Sequence, residues 1–181
     1  MNRCKWCNEN NPLYVKYHDE EWGVPRLDEA YLFEMLVLES FQAGLSWECV
    51  LNKREAFRTA FDGFDVDKVA EYGEEKKAAL CENKAIIRNR LKINAAVSNA
   101  RVFKDVAARY GSFAAYLESF TEGRVFYERG KTTSPLSDAL SADLRKRGMR
   151  FVGSTIIYSY LQAIGVIYSH EENCYLYKAK E

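Results

Sequence analysis

Cysteine and histidine residues at the two ends of this 181-residue chain constrain its fold more than any other feature. The chain has two histidines, His18 and His170, and both lie close to cysteines in the sequence: Cys4, Cys7 and Cys174. A Cys₂His₂ set gives closed tetrahedral coordination, the geometry of a structural zinc site. The three-residue gap between His170 and Cys174 puts both on one turn of a helix, facing one metal. We therefore predict one structural zinc ion that joins the two chain ends.

Five candidate ligands compete for four positions in this site. Cys4-x-x-Cys7 is itself a zinc-knuckle spacing, so spacing alone leaves the choice between Cys7 and His18 open. The alternative is a set of unrelated polar and buried residues. A zinc ion here would tie residues 1–20 to residues 168–176, where chain ends otherwise fray. Because no coordination position is left for a substrate, the predicted ion is structural and not catalytic.

Apolar periodicity predicts an all-α fold, a single domain spanning residues 1–181 with eight or nine helices. The clearest stripe runs at three- and four-residue steps from Ile93 to Tyr110 and ends at Gly111, a helix C-cap. One strand candidate, 124–127, lies between two glycines. Cap residues predict the remaining helices: Asp28 before 29–43, Ser46 before a helix through Phe61, Asp65 before a short helix ending near Gly73, Ser137 or Asp138 before one ending at Gly148, and Ser154 before one reaching about Tyr168.

Charge and hydropathy narrow the function classes. The chain has 26 basic and 26 acidic residues and zero net charge, which argues against a strongly basic nucleic-acid binder. Acidic and basic clusters are separate along the sequence, however, so a basic face can coexist with an acidic one. No signal peptide and no membrane-spanning stretch is evident, and no heptad seam suggests assembly. We expect a soluble cytoplasmic protein without a membrane partner, and a monomer.

One carboxylate lies in an apolar helix. Residues 32–41 are apolar nearly all round, which is typical of a buried helix. Glu39 shares a face with Leu36, Met35 and Leu32, so it needs hydrogen-bond donors, a cation or a proton. A structural glutamate paired with backbone groups or an arginine is as good an interpretation as a functional one.

Aromatic residues crowd into the same part of the chain. All three tryptophans, Trp6, Trp22 and Trp47, fall within the first 47 residues, together with Tyr14 and Tyr17. The sequence Ala-Gly-Leu at 43–45 breaks the helix. Aromatic walls with one carboxylate suit a flat, cationic ligand, which stacks on the rings and meets the charge at its edge.

Five motifs, which together extend through almost the whole chain, resemble the 3-methyladenine DNA glycosylase I family. They are Arg3-Cys4-x-Trp6, Tyr14-x-x-Tyr17-His18-Asp19-x-Glu21-Trp22-Gly23-Val24-Pro25, Leu38-Glu39-x-x-Gln42-Ala43-Gly44-Leu45-Ser46-Trp47, Ile86-Ile87-Arg88-Asn89-Arg90-x-Lys92-Ile93 and Lys146-Arg147-Gly148-x-x-Phe151-Val152-Gly153-Ser154-Thr155.

The resemblance implies an all-α helix-hairpin-helix DNA glycosylase fold. It implies excision of 3-methyladenine, and more weakly of 3-methylguanine, from alkylated double-stranded DNA by base flipping, without lyase activity. It also implies one structural zinc ion bound by Cys4, His18, His170 and Cys174, which makes Cys7 a spectator.

Site residues follow from the same resemblance. Glu39 is the catalytic carboxylate, and the base pocket consists of Tyr17 and Trp47 with Trp6, Tyr14 and Trp22 around them. We expect Leu45, with Gln42 and Gly44 beside it, to wedge the space left in the duplex. The expected hairpin, at 84–92, lacks the Gly-x-Gly turn usual in such hairpins. The residues expected to hold DNA phosphates there are Lys84, Arg88, Arg90 and Lys92.

Two other functions are compatible with these residues. A zinc-stabilised module could bind modified bases or nucleic acid without catalysis, although it would have less need of Glu39. A glycosylase could also prefer another lesion, such as oxidised or 7-methylated purines. No lysine stands out beside the pocket residues in the sequence, which agrees with an enzyme that lacks lyase activity.

Overall fold

The computed structural model describes residues 1–179, so residues 180 and 181, included in the predicted domain, lie outside it. It confirms a mostly helical chain. Ten α-helices, one 3₁₀ turn and two short strands make up the described part: α1 Pro12–Glu20, α2 Glu29–Gln42, α3 Trp47–Leu51, α4 Arg54–Ala60, the 3₁₀ turn Asp62–Phe64, α5 Val66–Ala70, α6 Glu74–Glu82, α7 Arg90–Tyr110, α8 Phe113–Thr121, β1 Phe126–Tyr127, α9 Pro135–Lys146, α10 Ser154–Ala163 and β2 Ile167–Tyr168.

Helix α2 is the centre of the molecule. Its residues from Tyr31 to Phe41 are all buried, as its continuous apolar sequence predicts. It contacts α3, α7, α8 and α10, and its N-terminus is capped by Asp28, whose side chain accepts from the Tyr31 amide at 3.0 Å. The two carboxylates in the middle of α2, Glu34 and Glu39, are therefore buried.

The longest helix, α7, agrees closely with its sequence pattern. Its apolar stripe is buried from Ile93 through Val106, and Gly111 ends it with φ of +94°. Asn89 caps its first turn by accepting a hydrogen bond from the Lys92 amide at 3.1 Å. The turn of residues 83–89 joins α6 to α7 at the position predicted for the hairpin.

Two predicted helix boundaries are wrong, and the first is wrong for a reason that lies outside the local sequence. The predicted helix from Ser46 through Phe61 is broken after Leu51, and α4 starts again at Arg54. This break lets the Arg54 guanidinium reach inward to Glu34, at 2.6 Å, and to Glu21, at 2.7 Å. At the second boundary, α9 begins earlier than predicted, because Ser134 is its N-cap and Ser137, one of the two predicted caps, is the third residue of the same capping box.

The last helix also ends earlier than predicted. It stops at Ala163, short of the expected Tyr168, because Gly165 packs against the backbone of the segment before α2. A Cβ at Gly165, whose φ is +76°, would lie 2.3 Å from the backbone of Val24 and Pro25. The chain then forms β2, which pairs in parallel with β1, and β1 lies inside the predicted strand 124–127. Within residues 1–179 no helix is both long and apolar enough to cross a bilayer.

Candidate active site and metal centre

A cavity of about 300 Å³ opens beside the C-terminal half of α2, at the small end of the range for ligand sites. It has an aromatic wall and a polar wall. The aromatic wall contains the predicted pocket residues Trp6, Tyr14, Tyr17, Trp22 and Trp47, together with Glu39 and Gln42. The structure therefore brings Glu39 and the five predicted aromatic pocket residues together around one cavity.

Glu39 lies in this wall with no charge to balance it. Its side chain is 3% exposed, and its Oε2 has no hydrogen-bond partner among residues 1–179. Burial raises the pKa of Glu39 to about 8. Buried polar groups in native proteins almost always have partners, so an unpartnered carboxylate beside a cavity indicates a ligand with hydrogen-bond donors or positive charge.

Trp47 shows a second unpartnered group in the same wall. Its indole Nε1 is buried and has no acceptor in the described part of the chain. Indole nitrogen is only a donor, whereas a carboxylate mainly accepts. The wall thus offers both a donor and an acceptor that the protein itself leaves unused.

The rings of Tyr17 and Trp47 touch each other. Their centroids are 5.2 Å apart and their planes are inclined by 47°. A base held between two faces needs about 7 Å, twice the roughly 3.4 Å spacing of stacked bases. A base therefore stacks on one of these rings with the other at its edge, unless the two rings move apart by about 2 Å.

The turn after α2 carries the residues predicted to enter the duplex. Gln42 is the last helical residue and also lines the cavity. Gly44 has φ of +79°, a value that suits glycine, and it allows the Leu45 amide to donate to the Gln42 carbonyl at 2.7 Å. Leu45 is 41% exposed at the tip. This turn, residues 43–46, is called the wedge turn below.

The basic residues predicted at the hairpin divide into two groups. Lys84, Arg88 and Arg90 are exposed, as a phosphate contact requires. Lys92 is not: only 7% of it is exposed, and its ammonium donates to the carbonyls of Phe41, at 2.8 Å, and Ala43. The prediction that Lys92 holds a phosphate therefore does not fit its position, because its ammonium is already bound to the end of α2.

The polar wall of the cavity was not predicted. It is formed by Lys131, Ser159, Gln162, Ser169 and Glu171, with Gly130. Ser159 and Gln162 are three residues apart in α10 and so share one face of that helix, and this spacing could have revealed them. The expectation that no lysine lies beside the pocket is also wrong. Lys131 lines the cavity, and its ammonium is 3.4 Å from a carboxylate oxygen of Glu128.

The predicted metal ligands also lie together. Cys4, His18, His170 and Cys174 are all buried, and one ligand atom from each lies within 4.8 Å of the others. The Nδ1 atom of His170 is 3.5 Å from both sulfurs, and the Nε2 atom of His18 is 3.5 Å from the Cys174 sulfur. Tetrahedral zinc, with bonds of about 2.3 Å to sulfur and about 2.05 Å to nitrogen, would space sulfur and nitrogen about 3.6 Å apart.

The protonation chemistry of this set also fits a metal ion. Burial lowers the pKa of His170 to about 4, which keeps its imidazole neutral and able to ligate. Burial raises the pKa of Cys4 to about 12, and a divalent cation would counteract this by stabilising the thiolate. Cys7 lies outside the set, with its sulfur 3.8 Å from the Tyr14 carbonyl, in agreement with a spectator role.

Hydrogen bonds around the ligands hold them in place. The other ring nitrogen of His18 is 2.8 Å from Asp19, which in turn accepts two hydrogen bonds from Arg3. The other ring nitrogen of His170 is 3.2 Å from the Trp22 carbonyl. Partners of this kind orient metal-binding histidines in known sites.

Comparison with known proteins decides the family. The model of the methyladenine glycosylase family matches residues 6–177. The chain belongs to the methyladenine glycosylase family. Among this family's curated proteins, DNA-3-methyladenine glycosylase 1 of Escherichia coli (strain K12) is 44% identical over 98% of this chain and 97% of its own length. The DNA-3-methyladenine glycosylase of Haemophilus influenzae is 37% identical over 95% of this chain and 96% of its own.

Solved structures of methyladenine glycosylases have the same fold. A crystal structure of 3-methyladenine DNA glycosylase I matches with a TM-score of 0.93 and 44% identity, over 98% of this chain and all of that one. A single-residue variant of 3-methyladenine DNA glycosylase I in complex with 3-methyladenine matches with a TM-score of 0.91 and 33% identity, over 97% of both chains.

In this member of the methyladenine glycosylase family, α1 connects the two sites. Tyr14 and Tyr17 line the cavity, while His18, on the next position of the same nine-residue helix, faces the metal-ligand set. Trp22 makes a second connection, because its ring packs edge-on against both Trp6, at 4.7 Å, and His170, at 4.8 Å. The metal-ligand set therefore supports the aromatic wall directly.

Proposed function

We propose that this protein is a base-excision repair enzyme that hydrolyses the N-glycosidic bond of 3-methyladenine in alkylated double-stranded DNA. The observation that carries the proposal is the buried, unpartnered Glu39 carboxylate in an aromatic cavity. The names of the relatives in Escherichia coli and Haemophilus influenzae support the same activity. The target base cannot be reached inside a duplex, so the nucleotide must be flipped into the cavity.

Charge selects the damaged base. An N3-methylated adenine nucleotide is cationic and its base leaves as a neutral molecule, so the bond is already weak. Glu39 would accept hydrogen bonds from the edge of the cationic base, while Trp47 or Tyr17 stacks on its face. Each stacking contact is worth about 1–3 kcal/mol. Unmodified adenine is neutral and gains less from the carboxylate, so discrimination is a difference of affinities.

The reaction itself is a simple substitution at the sugar. Water adds a hydroxyl group to C1′ and releases its other proton to solvent. The bond from C1′ to the base nitrogen breaks, its electron pair goes to the base, and the products are a neutral free base and an abasic site. Weaker release of 3-methylguanine is part of the proposal. The proposal is hydrolysis without lyase activity, and the lysine in the polar wall, Lys131, has its ammonium 3.4 Å from a carboxylate oxygen of Glu128.

DNA contacts follow from what is exposed around the cavity. Leu45 would fill the space left by the flipped base, with Gln42 and Gly44 beside it. Lys84, Arg88 and Arg90, on and beside the turn between α6 and α7, would bind phosphates as a helix-hairpin-helix does. We propose a cytoplasmic monomer with one domain.

Zinc is proposed as the metal of the Cys₂His₂ set. Cys4, His18, His170 and Cys174 would hold it with four protein ligands, so it would cross-link the two chain ends and supply no group to the reaction. The sulfur–nitrogen spacing of 3.5 Å supports this assignment.

Chromatography of released bases tests the function. The zinc-loaded protein is incubated with methylated duplex DNA, beside Glu39→Gln and a control, Glu55→Gln, whose side chain is 80% exposed. We expect free 3-methyladenine from the wild type and from Glu55→Gln, and little from Glu39→Gln. Release of another purine would indicate another lesion preference. Binding of the DNA with no release of any base would favour a module without catalysis.

A further inference from the structure

The end of α2 is held by a side chain from another helix. The last carbonyls of a helix have no partners within it, and they are usually satisfied by a following turn. Here the Gln42 carbonyl accepts from the Leu45 amide, but the carbonyls on either side, Phe41 and Ala43, accept from the Lys92 ammonium. A cation at this position also meets the negative end of the α2 dipole.

Lys92 lies in the first turn of α7, directly after the turn of residues 83–89, which is called the phosphate-binding turn below. Its amide donates to the side chain of Asn89, the N-cap of α7, at 3.1 Å. One residue therefore connects two elements proposed to contact DNA: its backbone is fixed by the phosphate-binding turn and its side chain by the wedge turn.

Burial separates Lys92 from its basic neighbours. Lys84, Arg88 and Arg90 are exposed, whereas Lys92 is 7% exposed. An ammonium has three hydrogen-bond donors, and two of these are used by the α2 carbonyls. Its Nζ is also 6.0 Å from the centroid of the Phe151 ring. A buried cation with this many fixed partners is costly to move.

We propose that Lys92 is a positioning residue, which locks the wedge turn to the phosphate-binding turn so that Leu45 enters the duplex in register with the flipped base. This inference rests on the proposed function, because it concerns excision from duplex DNA. Glu39 lies within the buried helix α2, two residues before Phe41, so its backbone is held by the packing of that helix and not by the turn that follows it. Losing Lys92 should therefore disturb the wedge turn and leave the base-binding wall intact.

The test compares three variants. Lys92→Met removes the donors and keeps much of the side-chain length, and Lys92→Arg restores a cation with donors. Lys104→Met is the matched control, because Lys104 is on the same helix but 40% exposed and paired with Asp67. Each is measured for affinity for free 3-methyladenine, for single-turnover excision from methylated duplex at saturating enzyme, and for excision from methylated single strands.

We expect Lys92→Met to bind the free base and to act on single strands as the wild type does. Its excision from duplex should fall by about a hundredfold, the loss that follows from a misplacement of about 1 Å. Lys92→Arg should recover part of the duplex activity, and Lys104→Met should lose none. If Lys92→Met does not fold, Lys92→Gln, which keeps hydrogen-bond donors without the charge, takes its place in the same measurements.

Three results would overturn the inference. Equal losses in free-base binding, single-strand excision and duplex excision would show a merely structural role. Weaker duplex binding with a normal rate at saturation would show a phosphate contact. Unchanged duplex excision would show that the position of the wedge turn does not depend on Lys92. Absence of base release from the wild type is a different result, because it would refute the proposed function as well.

Discussion

Glu34 and Glu39 lie on the same buried helix, five positions apart, and their electrostatic environments are opposite. Glu34 accepts from Arg54 at 2.6 Å and from Arg58 at 2.8 Å. Glu39 faces an aromatic cavity and has no such cation within residues 1–179. The first carboxylate is satisfied by the fold, which is the structural explanation considered for Glu39 from the sequence. The second carboxylate is left for a ligand.

The pH dependence of the unfolding free energy should show that Glu39 has no cation beside it in the folded protein. Its pKa in the folded protein is about 8, above the ordinary value of 4.5, so the folded state holds its proton more tightly than the unfolded state. The stability from this proton is complete below pH 4.5 and is lost as pH rises to 8. We expect Glu39→Gln to lack this loss, so its unfolding free energy relative to wild type should rise by on the order of 1–3 kcal/mol between pH 5 and pH 8.

Urea unfolding at several pH values measures this difference, with Glu55→Gln as the control. Parallel curves for wild type and Glu39→Gln would mean that the pKa of Glu39 keeps its ordinary value in the folded protein, and Glu39 would then not be an unpartnered group that needs a ligand.

Removing one ligand of the proposed zinc site should cost both metal and stability. A complete four-ligand site contributes roughly 10–16 kcal/mol of apparent binding free energy, which stabilises the folded protein. We therefore expect His170→Ala to lose its zinc and to lose several kcal/mol of its unfolding free energy. Asp19→Asn, which removes the hydrogen-bond partner of His18, should weaken zinc binding by about 10–100-fold. Cys7→Ser should keep its full zinc content. Metal analysis and thermal unfolding measure the zinc content and the stability of each variant. Loss of zinc from Cys7→Ser would show that Cys7 is a ligand.

Shortening the wedge should affect duplex DNA only. Leu45→Ala removes most of an exposed apolar side chain, and we expect excision from duplex to fall by about tenfold, since unstacking costs a few kcal/mol. Its affinity for free 3-methyladenine should not change. Leu27→Ala is the matched control, because Leu27 is 46% exposed and precedes α2 where Leu45 follows it. Equal effects of the two substitutions on duplex excision would remove the special role of Leu45.

Salt dependence should identify the phosphate contacts. If Arg88 neutralises one phosphate, Arg88→Gln lowers the slope of log affinity against log salt concentration by about one. Arg124→Gln, which removes an exposed arginine paired with Glu122 beside β1, should leave the slope unchanged. Fluorescence titration with duplex DNA at several salt concentrations gives both slopes. A slope that Arg88→Gln does not change would place the phosphates elsewhere.

The sequence predicted those parts of the fold that depend on local pattern. The stripe from Ile93 to Tyr110 and the glycine after it define α7 correctly, because side-chain periodicity and capping are local properties. The break before Arg54 could not be predicted in this way. The local sequence is compatible with a continuous helix, and only the distant Glu21 and Glu34 make the break favourable.

The candidate site also has one part that the local sequence predicts and one part that it does not. Its aromatic wall comes largely from the first 47 residues, so clustering in the sequence was enough to predict it. Its polar wall, with Lys131 and Ser169, comes from segments after α8 that fold back onto the N-terminal region. Lysine is normally exposed, so nothing in the local sequence indicated that Lys92 is buried.

Helix α1 carries two tyrosines that line the cavity next to a histidine of the metal-ligand set, so a change at the proposed zinc site would reach the base pocket through this helix. Thiolates that bind zinc are also the groups that oxidants attack. If the proposed zinc is bound, oxidation of Cys4 or Cys174 would release it and free the helix that carries Tyr14 and Tyr17. Oxidative stress would then suppress the repair of alkylation damage in the same cell, although no atom of the metal centre meets the base.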